Sequence, residues 1–123
     1  MTTIVKISPY NFQKTLDIIM KNIQNANLTI FTVIDHQQNA LTKNLILPPT
    51  TNIVFGNIEV GTKLMMDNID FNIYLPLKIS VYENEDQTYI SYLNLTDISK
   101  EYPISDITIV QNMNNLLANL TNI

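Results

Sequence analysis

The two glycines of this chain lie five positions apart in one short segment, and they are the only glycines among its 123 residues. Gly56 follows an apolar run, and Gly61 lies within a stretch of helix-like composition. Glycine is favoured where the backbone takes an unusual conformation or where another group approaches it closely. In a chain this poor in glycine, the pair marks a place with a special local requirement.

Length and composition predict a single folded domain over residues 1–123. The chain is 46% hydrophobic and only 15% charged, which provides enough apolar side chains for a core and argues against disorder. There is no cysteine, so no disulfide is expected, and the composition suits a reducing compartment. The amino terminus lacks the continuous apolar stretch of a signal peptide. We therefore expect a cytoplasmic protein.

The charge distribution argues against a nucleic-acid partner, and the hydropathy of the chain argues against a membrane partner. The net charge is −4, and the seven basic residues are scattered along the sequence. Nucleic-acid binding needs clustered cations that displace counterions from phosphates, so no nucleic-acid partner is expected. No apolar run approaches the ~18 residues that span a bilayer, so no membrane partner is expected either.

Hydrophobic periodicity predicts a two-layer α+β sandwich. The expected order is β-α-β-α-β-α-β-β-α, with the helices on one face of a mixed or antiparallel sheet of about five strands. The predicted strands are Thr3–Ser8, Leu28–Ile34, Asn52–Phe55, Lys78–Glu83 and Thr88–Leu93. The first predicted helix runs from a Ser8-Pro9 cap to about Asn25, and the next two cover Gln38–Asn44 and Ile58–Asp67. The last helix is capped by Ser105 or Asp106, and its buried face consists of Ile109, Met113, Leu116, Leu117 and Leu120.

An ordered series of short motifs resembles the DUF302 family, a bacterial and archaeal domain of unknown function. The motifs are Ile34-Asp35-His36, Ala40, Leu47-Pro48-Pro49-Thr50, Phe55-Gly56-Asn57, Gly61-Thr62, Leu64-Met65, Leu75-Pro76-Leu77, Val81-Tyr82-Glu83 and Ser91-Tyr92. The resemblance implies a compact α+β domain of this size and supplies no established reaction. The chain departs from the family at Ile58 and Lys63, where proline is frequent, and at Gln87, where glycine is frequent.

The glycine segment is the first candidate site, with Gly56, Asn57, Gly61 and Thr62 as its residues. It follows a strand and precedes a helix, as a phosphate-binding loop does. However, the order Gly-Thr-Lys is not the Gly-Lys-Ser/Thr that a P-loop needs to hold phosphates and magnesium. If Asn57 caps the helix, Gly61 lies inside it at a cost of ~1 kcal/mol relative to alanine. Either close packing or a ligand should offset this cost, and both alternatives remain open.

The pair Asp35-His36 is the second candidate site, because it lies where a strand meets a turn and His36 is the only histidine. Histidine next to a carboxylate suits general base chemistry, so His36 is the candidate catalytic residue. Adjacent strand residues point to opposite faces, however, so Asp35 could instead cap the following helix while His36 has a purely structural role.

Two tyrosines complete the predicted ligand site. Tyr82 should face away from the apolar side of its strand, and Tyr92 lies on the neighbouring strand. A tyrosine hydroxyl directed into a cleft suits ligand or subunit contact, and the exposed tyrosine face predicts a homodimer. No metal is predicted, because there is no cysteine and one histidine cannot build a zinc site without several carboxylates. No cofactor is predicted either.

The leading hypothesis places all eight residues around one small-ligand pocket in a binding or regulatory domain. It requires His36 to lie within about 15 Å of Gly56 and Gly61, the span of such a pocket. An enzyme that uses His36 in proton transfer is the first alternative and predicts a deep pocket. A structural protein-interaction module is the second and predicts a flat apolar patch.

Overall fold

The structure, a computed structural model, describes residues 2–123 as alternating strands and helices. Its elements in chain order are β1 (Thr3–Ile7), α1 (Phe12–Asn25), β2 (Thr29–Asp35), α2 (His36–Leu41), β3 (Thr50–Gly56), α3 (Ile58–Asp67), a 3₁₀ helix (Ile69–Tyr74), β4 (Leu77–Asn84), β5 (Gln87–Leu93), α4 (Leu95–Glu101) and α5 (Ile107–Leu120). This order confirms the predicted α+β pattern and adds two elements to it, the 3₁₀ helix and α4.

The five strands form one antiparallel sheet in the order β1-β5-β4-β3-β2. Alternation along β4 buries Leu77, Ile79 and Val81, whereas Tyr82 is only half-buried. One face of the sheet is therefore covered, as the pattern of apolar residues predicted.

The core lies between the covered face and the two longest helices, α1 and α5. Both helices are 14 residues long and present an apolar stripe to the sheet. The largest fully buried side chains are Phe55, Phe71, Ile19, Ile23, Ile53, Leu64, Ile79, Ile90, Leu95, Leu117, Val81 and Val110. The predicted face of α5 is confirmed at Met113, Leu117 and Leu120, which are buried.

Two predicted helix starts are wrong, because the residues that cap these helices are not the ones that the predicted starts imply. Asn11, not Ser8, caps α1 by accepting a hydrogen bond from the Lys14 N–H (2.8 Å). The hydroxyl of Ser8 is instead buried against that of Thr15, at 2.6 Å. In α2, Asp35 caps the helix directly after β2 by accepting from the Gln38 N–H, so the helix starts at His36 rather than at 38.

The hairpin between β4 and β5 closes without the glycine that is frequent in the family. Glu85 and Asp86 form a two-residue loop, and both have positive φ angles, 52° and 65°. Asn84 then pairs with Gln87 across the hairpin. Positive φ at both loop positions matches the right-handed twist of the strands, and Asp tolerates this conformation better than most residues do.

The second face of the sheet, called here the open face, has half-buried and exposed side chains. Ile7, Tyr89, Tyr82 and Thr50 follow one another across it in register. The rings of Tyr82 and Tyr89 are stacked with centroids 5.4 Å apart. Ile7 is 66% exposed. This face therefore leaves apolar side chains exposed.

Candidate functional site

A pocket of about 320 Å³ lies where β3 ends and α3 begins. Its walls come from parts of the chain that are distant in sequence: strand β2, the turn into α3 and α3 itself, the segment before β4, and α5. Its lining residues are Phe31, Gly56, Asn57, Ile58, Gly61, Thr62, Met65, Leu75, Pro76, Leu77 and Met113. Four of the eight residues predicted to form a site, Gly56, Asn57, Gly61 and Thr62, therefore lie together.

Asn57 fixes the direction in which α3 leaves the sheet. Its side-chain oxygen accepts a hydrogen bond from the Val60 N–H (3.1 Å), and its backbone carbonyl accepts from the Gly61 N–H (2.9 Å). The first contact satisfies a donor that a helix start leaves free, and the second is the first regular hydrogen bond of the helix. The predicted N-cap is confirmed, and Gly61 lies inside the helix as that cap implied.

Neither glycine is required by the backbone or by close packing. Neither has a positive φ angle. A Cβ added to Gly61 would lie 3.8 Å from the nearest atom, Cδ1 of Leu75, which is an ordinary van der Waals distance. A Cβ on Gly56 would lie 3.7 Å from both Phe31 and Pro76. Larger side chains at either position would enter the pocket, so the two glycines keep it open.

A second contact fixes the far end of α3. The Asp67 carboxylate accepts hydrogen bonds from the hydroxyl and the backbone N–H of Ser105, at 2.5 and 2.6 Å. These hydrogen bonds stabilise the charged form and hold the pKa of Asp67 below its usual value. Helix α3 is thus held at both ends, which keeps the pocket wall in place.

The pocket wall consists almost entirely of carbon and thioether sulfur. None of the described residues that line it has a titratable side chain, and its polar groups come from Asn57 and Thr62. No group of three or more His, Cys, Asp or Glu side chains suited to a metal ion occurs within residues 2–123. This environment suits the binding of an apolar molecule and offers no lining group for acid–base chemistry.

The structure places the Asp35-His36 pair at the opposite end of β3. Asp35 is paired with Thr51, and Gly56 lies five residues further along that strand, about 17 Å away at the rise of an antiparallel strand. The Asp35 carboxylate caps α2 by accepting from the Gln38 N–H (2.9 Å). One pocket shared by all eight residues is therefore not found, because Asp35 and His36 are not among the residues that line it.

The two tyrosines also lie outside the pocket, and on different faces of the sheet. Tyr82 belongs to the open face, where it stacks on Tyr89. Tyr92 is only 8% exposed and pairs in register with Ile4 on the covered side. The Lys6 ammonium lies 5.6 Å from the Tyr92 ring centroid, a cation–π contact. Tyr92 is thus a core residue.

Sequence reasoning missed the apolar wall of the pocket. Phe31 enters it because β2 changes register between Ile30 and Thr32, and such a bulge redirects a side chain. Leu75 and Pro76, joined by a cis peptide bond, come from the connection before β4. The two adjacent apolar residues at 30 and 31, which break the alternation expected of a half-buried strand, were the one available signal for the bulge.

These features define a class of protein: a two-layer α+β domain with helices on one face of a five-stranded antiparallel sheet and an apolar pocket beside α3. The chain belongs to the DUF302 family, described as a domain of unknown function, whose family model matches residues 4–120. The resemblance found in the sequence is thereby confirmed.

A solved relative has the same fold. The crystal structure of an uncharacterized conserved protein DUF302 from Bacillus stearothermophilus matches with a TM-score of 0.86 and 15% sequence identity. The match covers 99% of this chain and 97% of that one.

Curated relatives are similar over part of their length. Proteins named fluoride-specific ion channel FluC 1 from Brucella suis and Brucella abortus are each 31% identical over 77 residues, or 63% of this chain. The chain spans less than a third of those relatives, 30% and 28% respectively. Among residues 2–123, the structure contains no helix with the length and apolar character needed to cross a membrane.

Proposed function

We propose that this domain binds a small molecule in the pocket beside α3 and acts as a binding or regulatory module. The observation that carries the proposal is the position of the two glycines. Both line the same pocket, although neither is required by its φ angle or by a close contact. An interior helix glycine costs about 1 kcal/mol relative to alanine. Packing does not require glycine at these two positions, so space for a ligand is the explanation that we propose for them.

The alternative enzyme hypothesis has less support from the geometry. The candidate base His36 begins α2, at the end of β3 remote from the pocket. A general base has to come within hydrogen-bonding reach of the proton that it removes. The proposal is therefore limited to binding, and the cytoplasmic location remains a prediction from the sequence.

The curated relatives name fluoride, but fluoride itself is a poor fit to this pocket. A small, strongly hydrated anion needs charged or hydrogen-bonding groups that replace its water. The pocket wall is apolar, and the chain has a net charge of −4. We propose that the ligand of this pocket is a different molecule.

Native mass spectrometry of freshly purified protein tests the proposal. The wild-type protein should retain an additional small mass that Gly61→Leu loses, because the leucine side chain fills the pocket. Thr62→Phe, which adds bulk from an exposed position on the rim, is the second blocking variant. The control is Met66→Leu, on an 80% exposed position of the same helix. A co-purified mass that all four proteins retain equally would refute a site in this pocket.

We also propose that the open face mediates a homodimer. Its stacked tyrosines and the exposed Val5 and Ile7 provide an apolar contact surface. Five strands about 4.8 Å apart and about 20 Å long give roughly 480 Å² per copy. Two such faces bury about 1,000 Å², the lower limit for a specific interface, so the proposed dimer is a weak one.

Light scattering over a concentration series tests the dimer. Ile7→Lys should shift the equilibrium to monomer, because it places a charge within the proposed apolar contact. Ile73→Lys alters a similarly exposed isoleucine, 71% against 66%, that lies outside the sheet and is the control. A wild-type protein that stays monomeric at every concentration would remove the proposal.

A further inference from the structure

We infer that the ligand of the pocket is an uncharged, largely hydrocarbon molecule with about ten non-hydrogen atoms and one hydrogen-bonding group. This inference rests on the proposed function, because it names the chemical class that the same pocket accepts. The volume sets the size. At the ~30 Å³ that a water molecule occupies in the liquid, about 320 Å³ holds roughly ten non-hydrogen atoms.

The wall determines the body of the ligand. Phe31, Met65 and Met113 contribute an aromatic ring and two thioethers from three different elements. Methionine side chains adapt their shape and make favourable contacts with aromatic rings. Burial of apolar surface stabilises a complex, whereas an unpaired polar group in such a wall is costly. A flat aromatic or short aliphatic body fits best.

The rim determines the head of the ligand. The side-chain oxygen of Asn57 is occupied by the Val60 N–H, which leaves its amide nitrogen as a hydrogen-bond donor. The Thr62 hydroxyl lies one helical position from Gly61 on the exposed rim of the same pocket. Either group can donate a hydrogen bond to one hydroxyl or carbonyl oxygen at the mouth while the rest of the molecule is buried.

The electrostatics exclude a charged head. Glu59 places a carboxylate in the first turn of α3, next in sequence to the lining residue Ile58. The cation nearest in sequence on the helix, Lys63, is engaged by that carboxylate at 3.1 Å. An anion would therefore lose its hydration without a positively charged partner among the lining residues, and a cation would find no carboxylate among them, because Glu59 lies outside the lining and is paired with Lys63. An uncharged ligand avoids both costs.

Two probes with the same rings test the class: 2-naphthol, which is neutral at pH 7, and naphthalene-2-sulfonate, which has a negative charge and three more non-hydrogen atoms. Binding is followed by amide chemical shifts of the wild-type protein. We expect 2-naphthol to shift residues of the pocket and to bind at least tenfold more tightly than the sulfonate. Gly61→Leu and Thr62→Phe should each weaken its binding at least tenfold, while Met66→Leu should leave it unchanged. Sodium fluoride should not shift the pocket residues.

The outcomes separate the ligand class from the proposed function. Equal or tighter binding of the sulfonate, still lost in both blocking variants, would overturn the uncharged class and leave a binding pocket in place. If neither probe shifts the pocket and the purified protein retains no small mass, both proposals fail. A dimer that Gly61→Leu converts to monomer would show that a second copy of the chain occupies the pocket, and would overturn the inference.

Discussion

The two ends of strand β3 differ in how they are closed. At the end near Gly56, the chain enters a ten-residue helix, and side chains from four parts of the sequence surround an apolar pocket. At the end near Thr51, the strand pairs with Asp35, which caps a six-residue helix that has no buried residue. Both ends carried residues that looked functional in the sequence, but only one of them is enclosed.

The difference shows how sheet direction governs the position of a site. The carboxyl ends of neighbouring strands meet at one edge only when the strands are parallel, and there they often form a binding crevice. Strands β2 and β3 are antiparallel, so Asp35 at the end of β2 lies beside the start of β3. Residues at the ends of two strands can therefore be assigned to one site only when the relative direction of the strands is known.

The largest expected effect is on stability at the pocket end. Phe55→Ala should lower the free energy of unfolding by about 3–5 kcal/mol, because it removes a fully buried aromatic side chain. Urea unfolding measures the change. A loss below about 1 kcal/mol would mean that side chains at this end of β3 are not tightly packed, and the two ends would then not differ in packing.

The two N-caps compare the ends directly. Asn57→Ala should cost about 1 kcal/mol, and Asp35→Ala about 0.5 kcal/mol, because α3 has a buried residue and α2 has none. Thermal unfolding of both variants gives the stability, and amide titration with 2-naphthol gives the affinity. Only Asn57→Ala should weaken binding. Equal effects on affinity would indicate a site that extends to both ends.

Gly61→Ala should change stability in the opposite direction. Alanine favours a helix by up to about 1 kcal/mol over glycine, and its Cβ meets Leu75 at an ordinary distance of 3.8 Å. We expect a more stable protein with weaker ligand binding, as measured by urea unfolding and titration. Destabilisation would mean that close packing requires this glycine, and would remove the main support for the pocket.

A pH effect is expected at the far end of α3. The folded state lowers the pKa of Asp67, so this residue binds fewer protons in the folded than in the unfolded chain. Asp67 contributes to the free energy of unfolding at pH values above about 3.9, which is its pKa in the unfolded chain. That contribution is lost as the pH falls through the lower pKa that Asp67 has in the folded chain. Asp67→Asn should therefore reduce the acid-dependent loss of stability below pH 4. Ser105→Ala should act in the same direction, and an unchanged pH profile in both variants would contradict this account.

The smallest effect is expected at the α2 end. His36→Ala should change the free energy of unfolding by no more than about 0.5 kcal/mol and leave the 2-naphthol affinity unchanged, because His36 lies on a short, peripheral helix. A tenfold loss of affinity would restore His36 to the binding site and break the comparison between the two ends.

Much of the fold was accessible from the sequence because its signals are local. Alternation along β4 identified its covered and open faces, and the Asn57 cap placed the start of α3 correctly. The start of α1 was missed because several residues nearby could serve as its cap, and only tertiary packing selects among them. Burial against Thr15 removes Ser8 from this role. The cap of α2, Asp35, was one of the alternatives that the sequence left open, and the structure confirms it.

The sequence by itself determined the periodicities, the cap of α3 and the unusual placement of two glycines, since each of these depends on residues within a few positions of one another. The tertiary structure decided what those glycines border and where His36 lies. Phe31, Leu75 and Met113 reach the same pocket only after the chain has folded, and the antiparallel register separates Asp35 from Gly56. Contacts between distant residues depend on strand pairing and helix packing, and no short pattern in the chain specifies either one.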